Sequence, residues 1–311
     1  MGLNYGVIGV GPSGGILAAY LARSGERVVG VDVFEEHVES IKNDGLHISG
    51  FAELTANLAD CFCSISELAG REFDVIFVST KASVLEPVIG DLEKIYSEIG
   101  TPAVISHQNG IDTEKRLALT FGKENSLRTV INYAGNFVEK GHLRMNFFSP
   151  PNYIGGPQED LARKVSEDLT KAGLETEFTD DIQHYVWEKS ILNASMSALC
   201  AVTRQTMREA LDFAPTEHLT RDLLTEAIAV AKAAGQDYGA NFVEWCMNYL
   251  NKAGDHKTSM LVDVLNQNKT EIDYINGKIV EYGKEHGVPA PVNETIVALI
   301  KATENQYQRS N

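Results

Sequence analysis

The sequence predicts an α/β chain, with a doubly wound parallel sheet over residues 1–180 and an all-α region over residues 181–311. Three observations predict it. Short apolar runs alternate with helix-like amphipathic stretches through the first half, the pattern of a parallel sheet covered by helices. No strand signal remains beyond Asp180. The chain also opens on a compact unit of strand, glycine turn, helix, strand and acid between Tyr5 and Asp32.

In that unit Val7-Ile8 leads into Gly9-Val10-Gly11-Pro12-Ser13-Gly14, a helix carries Leu17 and Leu21 on one face, and Val28–Val31 ends in Asp32. Gly9 allows a tight turn, Gly11 allows the backbone to approach a pyrophosphate, and Gly14 lets the helix lie close to the strand. The helix N-terminus offers unpaired N–H groups and the positive end of its dipole to phosphates. Asp32 follows Gly9 by 23 residues, close to the spacing of about 20 at which a carboxylate accepts the adenosine ribose hydroxyls. Gly9 to Gly14 and Asp32 are therefore candidate cofactor ligands. A carboxylate repels the 2′-phosphate of NADP, and no Arg stands at Val33 or Phe34 to receive it, so NAD(H) is the preferred cofactor and NADP(H) the alternative.

Glu35–Asp44 reads as a helix closed by Gly45, and 46–58 as short strands and loop. Phe73–Thr80 is a buried strand, followed by a helix with Val84, Val88, Leu92 and Ile95 at helical spacing. Pro102–Ser106 is another buried strand, ending in His107-Gln108-Asn109-Gly110, and Leu117 and Phe121 mark a helix. Short strands are expected at 127–130, 136–138, 143–148 and 153–154, as an antiparallel extension of the sheet, then a helix through Leu161, Val165 and Leu169 and a last strand at 175–178. Segments 182–202, 204–212, 215–234, 240–252, 258–283 and 293–305 all read as helices. In open parallel sheets ligands bind beyond the C-terminal strand ends. Gly9–Gly14, Thr80-Lys81 and Gln108–Gly110 should therefore converge.

The composition, 43% hydrophobic and 23% charged, is that of a globular chain. Asp and Glu outnumber Lys and Arg by 43 to 27, a formal net charge of −16. That argues against a nucleic-acid or anionic-membrane partner, since no basic stripe exists to neutralise phosphates. Cys61, Cys63, Cys200 and Cys246 form neither a disulfide framework nor a metal motif, so reduced thiols in the cytoplasm are expected and no metal requirement is indicated. The first strand signal starts too early for a signal peptide, and the apolar run Ile16–Ala22 is too short to span a bilayer.

Three stretches of the second half carry candidate chemistry. Lys189, Asn193 and Ser197 fall at i, i+4 and i+8, along one face of an otherwise largely apolar helix. A snorkelling lysine with two solvent-facing polar residues would give the same spacing. Ser259, Asp263 and Glu271 also repeat in fours, so one long helix could present them together; a solvated acidic face is the alternative.

Taken in order, the glycine turn Gly9–Gly14, the Gln108-Asn109-Gly110 turn, Trp187-x-Lys189-x-x-x-Asn193, Ser259-Met260-x-x-Asp263, Thr270–Gly277 and Gly287-x-Pro289-x-Pro291-x-Asn293 resemble the ketopantoate (2-dehydropantoate) reductase family, from about residue 5 to 304. The resemblance implies a Rossmann domain, a helical second domain and an active site in a cleft between them. It implies that Lys189 is the general acid that protonates the substrate carbonyl oxygen, and that Glu271 binds a substrate hydroxyl and orients that lysine. It implies that Asn109 and Asn193 hydrogen-bond the substrate, the lysine or the nicotinamide side, that Ser259 meets a polar substrate group, and that Lys81 stands beside the nicotinamide; Thr80, at the same strand end, is a candidate cofactor contact by its position. Lysine suits its role because a desolvated cation both polarises a carbonyl and releases its proton near neutrality. The chain departs from the family at Ser197, His256 and Thr258, where members commonly carry Asn, Asn and Ser, and at Asp32-Val33, where many carry a basic residue. These departures touch the substrate pocket and the 2′-phosphate site.

The expected activity is reduction of the ketone of a small 2-oxo acid, foremost 2-dehydropantoate, with that acid as the partner; a homodimer is an assembly the sequence allows without deciding. The first alternative is a dehydrogenase of the same fold acting on another 2-oxo or hydroxy acid, supported by Asp32, Ser197 and His256. The second is a non-catalytic NAD(H)-binding regulator, which predicts loss of the Lys189–Glu271 pair.

Overall fold

A computed structural model describes residues 2–252 and 254–310. It divides into two compact units, one of residues 1–108 and 112–182, the other of Asn109–Ile111 and Gln183–Asn311.

The first unit holds β1 (Asn4–Ile8), α1 (Pro12–Arg23), β2 (Arg27–Val31), α2 (Glu35–Asp44), β3 (Leu46–Gly50), β4 (Leu54–Ala56), β5 (Asp60–Phe62), β6 (Val75–Val78), α3 (Leu85–Ile95), β7 (Ala103–Ser106), α4 (Thr113–Phe121), β8 (Ser126–Val130), β9 (Tyr133–Glu139), β10 (His142–Phe148), β11 (Asn152–Gly155), α5 (Glu159–Ala172) and β12 (Thr176–Phe178). The main sheet has the order β12-β11-β8-β7-β6-β1-β2-β5, parallel from β5 to β8. Its β6 and β7 are buried along their whole length, which is why they read as largely apolar runs; β8 is equally buried although it carries Ser126, Arg128 and Thr129.

One expectation fails here. Of the segments taken as an antiparallel extension of that sheet, only β11 pairs antiparallel with it, on β8. β9 and β10 form a hairpin that joins β3 and β4 in a separate four-stranded sheet of order β4-β3-β10-β9. The reason lies in α1, whose residues from Gly14 to Leu21 are all buried. A helix apolar on every side must be covered on every side. α1 packs on β1 and β2 and also on β3, β4, β9 and β10, so the second sheet closes its outer face. Alternation along β10 buries Leu143 and Met145 against that helix layer.

The second unit holds α6 (Ile182–Thr203), α7 (Met207–Asp212), α8 (Ala214–Ala233), α9 (Phe242–Lys252), α10 (Ser259–Leu265), α11 (Asn276–His286) and α12 (Pro291–Ser310). α6 is buried from Ser190 to Ala201 at every position but Asn193, so it forms the unit's core. α7 starts on a capping box between Thr206 and Glu209.

The long helix expected over 258–283 is broken. α10 ends at Leu265, Gln267 takes a positive φ of 57°, and Glu271 precedes a short 3-10 turn at Ile272–Tyr274. The polar run Asn266-Gln-Asn-Lys269 gives the chain no apolar face to continue on. Ser259, Asp263 and Glu271 therefore do not share one helix.

The four cysteines are free, and burial pushes the thiols of Cys61, Cys200 and Cys246 up to about 12. No helix among the described residues is long and apolar enough to cross a membrane.

Tyr5 of β1, fully buried, donates its hydroxyl to Asp168 of α5 at 2.7 Å, and Asp168 also pairs with Lys164. Tyr5→Phe leaves that buried carboxylate short of a donor and should cost about 1.5–3 kcal/mol, read as a lower midpoint in denaturant titration.

Candidate active site

The glycine turn is built by exclusion. A Cβ on Gly14 would lie 2.1 Å from the Gly9 carbonyl oxygen and 2.6 Å from Ser79 Cβ, and one on Gly9, at φ +91°, would lie 2.8 Å from the Thr80 nitrogen. Gly11 differs: a Cβ there meets only the Phe137 ring, at 3.8 Å. Protein packing demands glycine at positions 9 and 14, whereas at 11 a Cβ would make only ordinary van der Waals contact. Beside Gly11, α1 begins with no side-chain cap and no acid in its first turn, with Pro12 at its start. Such a helix start suits an anion, and the turn could hold a dinucleotide pyrophosphate.

Asp32, at the end of β2, accepts the backbone N–H of Val10 at 3.0 Å and of Phe34 at 3.1 Å. One lone pair on each oxygen is thereby used, and a carboxylate has about four acceptor sites, so two remain for ribose hydroxyls. The following residues, Val33, Phe34, Glu35 and Glu36, offer no cation, and the lysine that approaches them, Lys140, is paired with Glu36.

The ends of β1, β6 and β7 are neighbours in the sheet, and the residues after them touch. Gly9 lies against Thr80, and the Gln108 side chain donates to the Thr80 carbonyl at 2.9 Å. Lys81 follows at the surface, ahead of a 3-10 turn at Ala82–Val84.

In the helical unit Lys189, Asn193 and Ser197 lie along α6, the first two half-buried and Ser197 buried. Burial holds the Lys189 ammonium below the ordinary lysine value, and the adjacent Glu188 carboxylate opposes that shift. Burial also raises Glu188, against the pull of His184 and Lys189. Glu188 carried no signal in the sequence beyond its place beside the lysine.

Two of the segments that carry the other candidates are tied to backbone carbonyls of α6, through Thr258 and Asn276. Thr258 caps α10, accepting Leu261 N–H at 3.3 Å, and its hydroxyl donates to the Ser197 carbonyl at 3.3 Å, which brings exposed Ser259 to that end of α6. The half-buried His256 precedes it and accepts Met207 N–H on its carbonyl at 3.0 Å. Asn276, fully buried, donates to the Ala194 carbonyl at 2.8 Å and to Asn293 at 3.0 Å. Asn293 in turn donates to Glu226, whose carboxylate also receives the Val292 and Asn293 backbone N–H groups. The buried Glu271 stands five residues before Asn276; its predecessor Thr270 is fixed by Glu304, through N–H at 2.7 Å and hydroxyl at 2.6 Å.

Asn109 belongs with this unit. Gly110, at φ +102°, packs so closely on Tyr274 that a Cβ would lie 2.7 Å from the Tyr274 Cβ, and Ile111 N–H donates to the Tyr274 carbonyl at 2.9 Å. The Asn109 turn thus docks on the turn that Glu271 begins. The structure places Lys189, Asn193 and Ser197 on α6, Ser259 beside the Thr258 that bonds α6, His256 on the segment that bonds α7, and Asn109 and Glu271 on turns that meet at Tyr274; Gly9–Gly14, Asp32 and Thr80 lie at strand ends of the first unit.

Comparison with known proteins follows this division. The model of the ketopantoate reductase PanE/ApbA family matches residues 5–157, and that of the ketopantoate reductase PanE/ApbA C terminal matches residues 181–304. The 2-dehydropantoate 2-reductase of Pyrococcus horikoshii is 26% identical over 304 residues, covering 96% of this chain and 97% of its own. That of Lactococcus lactis subsp. lactis is 27% identical over 308 residues, with the same coverage. Among solved structures, a PanE/ApbA family ketopantoate reductase from Ralstonia eutropha JMP134 superposes with a TM-score of 0.88 at 23% identity, covering 98% of this chain and 100% of that one. A D-mandelate dehydrogenase in ternary complex with NADH and anilino(oxo)acetate superposes with a TM-score of 0.87 at 26% identity, covering 98% and 99%.

The buried tether between Asn276 and α6 is open to measurement. Asn276→Ala strips donors from the Ala194 carbonyl and from Asn293, and should cost about 1–3 kcal/mol in equilibrium unfolding.

Proposed function

The chain belongs to the ketopantoate reductase PanE/ApbA family, and from that premise we propose that it is a nicotinamide-dependent reductase of a small 2-oxo acid, 2-dehydropantoate first. The observation that carries the reading is Lys189: a lysine kept below its ordinary pKa by burial, on the α6 face it shares with Asn193 and Ser197.

In this reading Gly9–Gly14 hold the pyrophosphate, Asp32 the adenosine ribose, and Thr80 and Lys81 the nicotinamide side. A dinucleotide bound there supplies hydride to the carbonyl carbon of the acid. Lys189 polarises the carbonyl oxygen and gives it a proton, so that the ketone becomes a hydroxyl and the lysine is left neutral. Lowering its pKa brings proton release closer to working pH. Glu271 binds a substrate hydroxyl and orients the lysine; Asn109, Asn193 and Ser259 hydrogen-bond the substrate, with Ser197 and His256 completing the pocket.

NADH is the cofactor we expect, because a 2′-phosphate would meet the Asp32 carboxylate with Glu35 and Glu36 beyond it. A second reading, oxidation or reduction of a different 2-hydroxy or 2-oxo acid, is favoured by the D-mandelate dehydrogenase likeness together with Ser197 and His256.

The test is absorbance of the reduced cofactor with purified protein, each dinucleotide and a panel of 2-oxo acids. Turnover of 2-dehydropantoate is expected; silence with it and turnover of another acid would install the second reading. The kcat/KM with NADH should exceed that with NADPH by at least about tenfold, since like charges brought together cost several kcal/mol, and Asp32→Asn should narrow the gap. Lys189→Ala should lower kcat by about 10²–10⁴ while dinucleotide binding persists. Because the proton donor must be charged, the reductive rate should fall as pH rises through the Lys189 pKa, below the usual lysine value of about 10.4. Lys189→Arg, which keeps charge without a releasable proton, should abolish that limb together with most of the turnover.

A further inference from the structure

The glycine turn is steadied from outside its own strand–helix unit. His37 of α2, fully buried, approaches the Val10 carbonyl through Nε2 at 3.0 Å and accepts Gly141 N–H on Nδ1 at 2.8 Å. On the other side of Gly11, Tyr133 of β9 donates its hydroxyl to the Ser13 carbonyl at 2.9 Å. Behind Tyr133 stands His107, 3% exposed, at the end of β7. Its Nε2 lies 2.8 Å from the Tyr133 oxygen and its Nδ1 lies 2.7 Å from Thr129 Oγ1.

One arrangement of hydrogens satisfies this chain. Tyr133 has a single proton, and with that proton on the Ser13 carbonyl, Nε2 of His107 must carry hydrogen and donate to the Tyr133 oxygen. Nδ1 then accepts from Thr129. That contact, at 2.7 Å, is shorter than the alternative from Thr129 to the Ser106 carbonyl at 3.2 Å. Burial and the nearby Arg128 charge lower the imidazole to about 3, so it remains neutral and the arrangement does not change across ordinary pH. Edge-on packing against Phe77, with ring centroids 5.7 Å apart, fixes the ring plane.

We propose that His107, acting through the Tyr133 hydroxyl, is a positioning residue for the dinucleotide: it fixes Ser13 and so aims the first N–H groups of α1 at the pyrophosphate. The inference rests on the dinucleotide-binding reading above. It assigns a cofactor-positioning role to two residues that, in sequence, are a neighbour of the Gln108–Gly110 turn and a residue between two expected strands. Neither touches the cofactor in this account; both set the geometry of groups that do.

The experiment is titration of NADH and NADPH against the full chain, followed by nucleotide fluorescence, with steady-state kinetics on the same preparations. Tyr133→Phe keeps the ring and its packing on Phe148 and removes only the hydroxyl. It should raise the dinucleotide Kd and KM about fivefold, with kcat at saturation and the KM of the 2-oxo acid held. His107→Asn, whose amide reaches only the Nδ1 position, should do the same. His107→Gln, whose amide nitrogen reaches the Nε2 position, should restore most of the affinity. An unchanged dinucleotide Kd in both Tyr133→Phe and His107→Asn, even with a lower melting temperature, would reduce the pair to packing and overturn the proposal. Equal weakening by His107→Asn and His107→Gln would overturn the route through Nε2. If the unaltered protein binds neither dinucleotide, the functional reading itself fails and takes this inference with it.

Discussion

The close approach of α1 to β1 is the constraint on which the first unit depends. With Gly14 pressed against the Gly9 carbonyl and Gly15 against Leu143 and the Val10 carbonyl, the helix lies deep between two layers. Ile16, Leu17 and Leu21 are then fully buried, each worth about 1.5–3 kcal/mol relative to an exposed side chain. The same geometry starts the helix just beyond the end of β1, beside Gly11 and without a side-chain cap. Packing and the proposed pyrophosphate site thus share one cause. The second sheet is its consequence, for a helix sunk into the main sheet and apolar all round needs a cover, and β9 and β10 provide it while delivering Tyr133 to Ser13.

The helical unit solves a different problem. α6 is a buried core helix that must nonetheless carry a lysine and an asparagine. Burying an ammonium disfavours its charged form, and the lowered pKa of Lys189 records that cost. What keeps the helix in place is the set of hydrogen bonds to its carbonyls, from Asn276 to Ala194 and from Thr258 to Ser197, backed by Asn293, Glu226 and Glu304. The amide nitrogen of Asn276 makes both of its bonds in this network while its oxygen, also buried, has no partner there; such links account for polar residues in stretches that carry no candidate chemistry.

Much of this was legible in the sequence because it is local. The parallel strands announce themselves by being apolar on both faces, the glycine turn by its spacing, and Lys189, Asn193 and Ser197 by helical period. What was not legible is what depends on distant partners. The alternation in β9 and β10 fits a sheet edge as well as a second sheet, and only the all-round burial of α1 decides between them. The break after Leu265 was hidden because Ser259, Asp263 and Glu271 keep a fourfold repeat across a turn. Thr270, the residue before Glu271, is fixed by Glu304, far along the chain, and His107 by Thr129 and Tyr133; no periodicity encodes such pairs.

On the proposed reading, residues that would perform chemistry are separate from residues that hold them, and this bears on how a fold of this kind changes substrate. The tethers to α6 end on main-chain carbonyls at Ala194 and Ser197, so they do not depend on which side chains occupy positions 193 and 197. His256 likewise contributes its carbonyl, not its ring, to the Met207 bond. Side chains at 197 and 256 can therefore differ between relatives without loosening the helix that carries the lysine. A site that hydrogen-bonds its substrate rejects analogues lacking the matching group strongly, so exchanging a few such side chains is enough to redirect it. The departures that the resemblance pointed to fall at Ser197 and His256, where the supports seen at these positions run through backbone carbonyls, while Lys189 and Glu271 match its pattern.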